Sequence, residues 1–194
     1  LLFVLDYIQK KGYSYVIIAF DDLLISKKVD TKYVSSAINI FIQEKGECLR
    51  FDPIRTSRCA NHNRYYGRIY DKVPYRVTLG FTLWNVEVLK KITIENESAW
   101  QFEKNATERS FEYKDFFCTW KRPFDFINLV NKRKLDITEY RKLKKLIPNA
   151  EYDREQVFVI KERLKGYILR AFLRFYPVKY QYAFHKFFTK PIDI

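Results

Sequence analysis

The sequence predicts an α/β fold: a mostly parallel sheet covered by helices, followed by a helical basic C-terminal extension. Three observations predict it. Helical and extended patterns alternate over residues 1–51. The unbroken apolar run YVIIAF at 15–20 has the length and β-branching of a strand buried on both faces, as parallel sheets require. Beyond Trp120 the apolar spacing turns helical and the charge turns basic. The predicted division is 1–125 for the main part and 126–194 for the extension.

Each element has a local cause. Leu1, Leu2, Leu5 and Ile8 recur at helical spacing, and Gly12 is placed to cap that helix. The strand at 15–20 ends abruptly in Asp21-Asp22. Asp30-Thr31 supplies an N-cap for a helix over 31–45, with Val34, Ile38 and Phe41 on one face. Gly46 closes it, and 47–51 reads as a short strand. Residues 52–74 are polar, carry Arg55, Arg58 and Arg64, and read as a surface loop, long enough to be functional. Residues 75–83 alternate as a strand does, and 87–91 make a helical turn. A Lys/Arg-rich helix is predicted over 136–147. A longer one follows over 155–176, with Val157, Ile160, Leu164, Ile168 and Phe172 in register. Pro177 ends it.

Composition narrows the partners. Apolar residues at 47% and charged residues at 30% place the chain among globular rather than disordered proteins. The net charge of +13 calls for an anionic partner: nucleic acid, an anionic membrane surface or a phosphorylated small molecule. Cys48, Cys59 and Cys118 are odd in number and widely spaced, the pattern of reduced structural thiols in a cytosolic setting. No apolar run reaches the ~18–20 residues that span a bilayer. His62 and His185 are isolated in sequence and give no metal pattern.

Two constellations carry chemistry. A buried strand ending in paired carboxylates puts Asp21 and Asp22 at the sheet edge where α/β folds bind ligands. Mg²⁺ or Mn²⁺ takes one or two carboxylates together with substrate phosphate oxygens, and there neutralises a diphosphate leaving group. The plain alternative is an Asp pair capping a turn. The second is Trp84 with Trp100-Gln101-Phe102-Glu103. Apolar neighbours raise a glutamate pKa or fix its rotamer, both useful to a general base, and aromatic faces take sugar rings. The alternative is two core tryptophans and a solvated glutamate.

These residues resemble a family. VIIAFDDLLISKKVD at 16–30 is similar to the block of an apolar strand, Asp-Asp, an aromatic or Leu, then Val-Asp. That block marks a group of bacterial glycosyltransferases of capsule, lipopolysaccharide and related surface-glycan synthesis. YRVTLGFTLWNVEVLKKITIENESAWQFEKNATERS at 75–110 resembles the same group, with its Tyr-Arg, apolar-Trp, Glu-Ser-x-Trp-x-Phe-Glu and closing Arg-Ser. The resemblance implies a GT-A-like (Rossmann-like) fold and a hexosyltransferase-type activity that moves a sugar from a nucleotide-sugar donor to a glycan or lipid-linked acceptor. It implies that Asp21 and Asp22 hold a divalent metal (Mn²⁺ or Mg²⁺), with Asp22 facing it, and that Glu103 is the catalytic base. It implies an acceptor side of Arg76, Trp84, Trp100 and Arg109, and a cytoplasmic location on the inner face of the bacterial plasma membrane. The sequence departs from the group in having no βαβ nucleoside-binding segment before Leu1 and no glycine-rich phosphate loop, so a fragment or a shortened relative is expected.

The tail adds a third signal. Over 161–190, Arg163, Lys165, Arg170, Arg174, Lys179 and Lys186 interleave with an aromatic and aliphatic face. Such a helix suits an anionic membrane interface, or else packs on the main part or a second subunit. Two other functions stay open at this level. A nucleic-acid module would use the charge and the Arg64, Tyr65, Tyr66, Arg68 cluster, although no recognised motif supports it. A non-catalytic glycosyltransferase-like scaffold would bind no donor.

Overall fold

The computed structural model describes residues 1–54, 57–131 and 134–188. Arg55 and the last residues of the basic tail lie outside them. Among the described residues the chain is a mixed α/β protein with seven α-helices and a largely antiparallel six-stranded sheet.

Helix α1 (Leu2–Lys10) is anchored by Leu5 and ends at Lys11, before Gly12 takes a φ of 84° that a side chain would resist. Strand β1 (Tyr15–Ile18) follows, then β2 (Leu23–Ile25). Helix α2 (Thr31–Gln43) starts where the Asp30 carboxylate accepts the Tyr33 N–H at 3.0 Å, the N-cap expected from sequence. Strands β3 (Cys48–Arg50), β4 (Cys59–Asn61), β5 (Tyr66–Ile69) and β6 (Thr82–Asn85) follow. Helix α3 (Val86–Ile92) leads to α4 (Ala99–Arg109), whose first turn is closed by a reciprocal Ser98–Gln101 capping box. Strand β7 (Phe116–Thr119) completes the main sheet. Strands β8 (Phe126–Asn128), β9 (Val130–Asn131) and β10 (Lys134–Asp136) precede α5 (Ile137–Leu146). Strand β11 (Gln156–Val157), α6 (Ile160–Phe175) and α7 (Val178–Phe188) end the described chain.

The main sheet runs β1-β6-β3-β7-β5-β4, and only the β3–β7 pairing is parallel. The expected mostly parallel sheet is therefore corrected. The reason is a change of sheet: β2, which precedes α2, pairs with β8 in a separate ribbon, so β2, α2 and β3 make no βαβ unit. Alternation along the strands still builds two cores. Cys48, Trp84, Phe116 and Cys118 face one, filled by α1, α3 and α4; Leu49, Leu83 and Phe117 face the other, filled by Ala37 and Phe41 of α2. Helices thus cover both faces of an antiparallel sheet.

Four more expectations change. The 15–20 run is an edge strand paired only with β6, and Ile17 is 45% exposed. The region 52–74 is no surface loop: β4 and β5 form a hairpin whose turn is held by Asn63 Oδ1 accepting the N–H groups of Tyr65 and Tyr66. Its Tyr66, Ile69 and Val73 are buried. The strand expected at 75–83 is confined to β6, because Tyr75 (φ 56°) and Phe81 (φ 43°) break the extended path. Beyond residue 125 the chain is not wholly helical, since β8–β10 precede α5 and a third small core forms around Ile127, Leu129, Leu135 and Leu143. No described helix is long and apolar enough to cross a membrane. The three cysteines are free, yet folding brings the Cys59 and Cys118 sulfurs within 3.0 Å.

Phe41 is fully buried and meets Tyr15, Tyr66 and Phe117 edge-on, joining α2 to the sheet. Phe41→Ala is expected to destabilise the protein by about 3–5 kcal/mol in urea unfolding.

Candidate functional site

A cleft of about 710 Å³ lies between the main sheet, the β8–β10 region and helices α4, α5 and α6. The change of sheet creates it: the chain leaves β1, turns through Asp21 and Asp22, and enters β2, so both carboxylates fall in the crevice. Leu23 N–H donates to the Phe20 carbonyl at 3.3 Å, and the Asp22 carbonyl accepts from Leu129 N–H at 3.4 Å, fixing the turn to both sides. Glu103 and Trp100 line the same cleft from α4, which Phe102 and Ala106 anchor in the first core.

The sequence-predicted residues divide. Asp21, Asp22, Glu103 and Trp100 come together. Glu103 Oε1 accepts from Thr78 Oγ1 at 2.7 Å and from Leu79 N–H at 2.9 Å, so its carboxylate is held by fixed donors and is no solvated surface group. Trp100 is 69% exposed at the rim. Trp84 and Arg76 are both 0% exposed and do not line the cleft. The Trp84 ring packs edge-on to Phe116. Arg76 donates to Ser110 and to the Tyr113 carbonyl, pairs with Asp71 and lies over the Phe116 ring, tying the approach to β6 to the end of α4. Arg109 is likewise committed to the Ile92 carbonyl and both oxygens of Glu97. An acceptor side that includes Arg76 and Trp84 is therefore corrected, because side chains sealed in a core cannot meet a ligand; Arg109 is partly exposed but does not line the cleft.

Sequence reading missed Arg50, Asp52, Thr78, Arg122, Asp125, Asp136, Glu139, Lys142 and Arg163, all of which line the cleft. Asp52 was findable, for it follows β3 as Asp21 follows β1. Asp136 and Glu139 were also signalled, as an N-cap and first-turn acid of α5. Arg122 and Arg163 carried no local signal.

The lining holds more carboxylates than cations, although the chain as a whole is +13. Most of these acids are engaged. Asp52 pairs with Arg122 at 2.7 Å and Asp125 with Lys27 at 2.8 Å; Asp136 and Glu139 share Arg163, and Lys142 adds a second cation to Glu139. Asp21 and Asp22 are different: among the described residues neither has an ion pair. Partial burial and the adjacent Asp21 charge push the Asp22 carboxyl above the usual carboxylate range. Among the described residues no group of three or more His, Cys, Asp or Glu side chains is arranged to hold a metal by itself. Two adjacent carboxylates fit instead a hard cation whose remaining ligands are water and substrate oxygens.

The aromatic-basic cluster is largely committed elsewhere. Tyr66 is buried with its hydroxyl on Glu44, Arg68 pairs with Asp115, and Arg64 lies over the Tyr65 ring. It offers no open stacking platform at Tyr66.

No family model, curated protein or solved structure matches this chain.

A raised native pKa means that ionised Asp22 costs stability, fully so above that pKa, and that the cost vanishes as pH falls through the ordinary carboxylate value. Asp22→Asn is therefore expected to raise Tm at pH 7, with the difference from the parent shrinking in acid, as thermal unfolding across pH will read.

Proposed function

We propose that this chain is a metal-dependent glycosyltransferase of GT-A-like type that moves a sugar from a nucleotide-sugar to a glycan or lipid-linked acceptor in bacterial surface-polysaccharide synthesis, on the inner face of the plasma membrane. One observation carries the reading: Asp21 and Asp22, adjacent lining carboxylates without an ion pair among the described residues, share a cleft with Glu103, which hydrogen-bond donors hold, and with the exposed Trp100. The likeness of 16–30 and 75–110 to that family supports it from sequence.

The chemistry is an inverting displacement. Trp100 offers a ring face to the acceptor sugar. Glu103 takes the proton of the acceptor hydroxyl; Thr78 and Leu79 hold its Oε1, which orients Oε2 for that proton. The acceptor oxygen bonds to the anomeric carbon as the bond from that carbon to the diphosphate oxygen breaks, and the nucleoside diphosphate leaves. Asp21 and Asp22 would hold Mn²⁺ or Mg²⁺, which supplies positive charge to the departing diphosphate. Arg50, Arg122, Lys142 and Arg163 bring further cations to the cleft.

The test is nucleoside diphosphate release from a panel of nucleotide-sugars with Mn²⁺. Asp22→Ala is expected to abolish it, and unchanged turnover would rule the reading out. Glu103→Gln is expected to lower kcat by about 10²–10⁴-fold while donor binding persists. A parent chain that binds no nucleotide-sugar in the presence of Mn²⁺ would be a non-catalytic relative instead.

A further inference from the structure

Helix α6 has two opposite characters. Leu173 is fully buried and seats one side of it, with Gln181 of α7 donating to the Leu173 carbonyl. On the other side Ile160, Leu164, Tyr167, Ile168, Phe172 and Phe175 are all exposed, Phe175 at 78%. At about 100° per residue these six fall within an arc of about 140° pointing away from Leu173. The amphipathic pattern is thus turned outward: apart from Phe172, whose ring meets Tyr176 and Phe184, the apolar stripe lies away from the side that packs on the protein. A contiguous exposed apolar face of this kind marks an interaction surface.

Charge identifies the partner. Lys165 borders the stripe on one side, and Arg170 and Arg174 on the other, by the same helical geometry. From residue 163 to 188 the sequence contains no Asp or Glu. We infer that α6 docks in the headgroup layer of an anionic phospholipid membrane, its apolar stripe in the acyl boundary and its flanking cations on lipid phosphates. A second copy of the chain fits less well, because two such stripes face to face would set Lys165, Arg170 and Arg174 against like charges. A spanning mode does not fit either: 16 residues rise about 24 Å, short of a hydrocarbon core of about 30 Å.

The placement matters for the cleft. Arg163, in the first turn of α6, pairs with Asp136 and Glu139 and lines the cleft, and the stripe begins beside it at Ile160. A bilayer under α6 therefore lies next to the cleft, where a lipid-linked substrate would be presented. Membrane docking itself does not depend on sugar transfer, and lipid binding reads it without turnover.

The experiment is co-sedimentation of the full chain with vesicles of phosphatidylcholine alone and of phosphatidylcholine with an equal amount of phosphatidylglycerol. Binding is expected only to the anionic vesicles and is expected to fall with added salt. The Ile168→Ser/Phe175→Ser double variant changes exposed side chains only, and circular dichroism will check that it stays folded. Its partitioning is expected to drop at least about tenfold. Equal partitioning of parent and variant, or of the parent to both vesicle types, overturns the proposal. So does a dimer in sedimentation velocity that the double variant dissolves.

Discussion

Residues 19–22 carry the chain from the edge of one sheet into another. Strand β1 hydrogen-bonds to β6, while β2, only four residues on, hydrogen-bonds to β8. No single strand can serve both partners, so the backbone must turn between them, and the turn opens the crevice that becomes the cleft. Asp21 and Asp22 occupy that turn. Phe20 of that turn still packs on the first core, whereas Asp21 and Asp22 turn into a polar crevice, where two ionisable side chains are tolerated. The same departure leaves α2 without a parallel partner strand on each side and makes the main sheet largely antiparallel.

The cleft is framed by polar contacts that a sequence pattern does not display. Buried Arg76 links the approach to β6 with the end of α4, and a guanidinium with several internal acceptors is a positional clamp rather than a ligand group. Through it α4 is held so that Glu103 meets Thr78 and Leu79. On the opposite wall Arg163 is shared by Asp136 and Glu139, which fixes the start of α6 to α5. The acidic lining is thereby mostly neutralised from within, and at the Asp21-Asp22 turn no ion pair forms among the described residues, Arg154 acting on Asp22 only through its charge. Overall basicity and local acidity coexist because the lysines and arginines of α6 and α7 lie outside the cleft walls, apart from Arg163.

Much of this was readable locally. The helices at α1, α2, α3 and α5 follow from spacing and caps that act within a few residues, and Asp30 does what an N-cap aspartate must. The Asp pair and Glu103 were singled out by position and chemistry and do share a cleft. Trp84 and Arg76 were misjudged for a physical reason: a large aromatic or a guanidinium looks the same in sequence whether it faces a ligand or fills a core. The β4–β5 hairpin was hidden because short strands with few apolar residues, such as Cys59–Asn61, gain their order from pairing rather than from pattern.

By itself the sequence determined the periodic elements, the caps, the basic amphipathic tail and the acidic pair after an apolar strand, since each depends on neighbours a few positions away. The tertiary structure decided which strands pair, which face of α6 stays open, which arginines are clamps and which carboxylates form no ion pair among the described residues. Those outcomes depend on contacts between residues far apart in the chain, as between Asp52 and Arg122 or Leu24 and Ile127, and no local pattern encodes them.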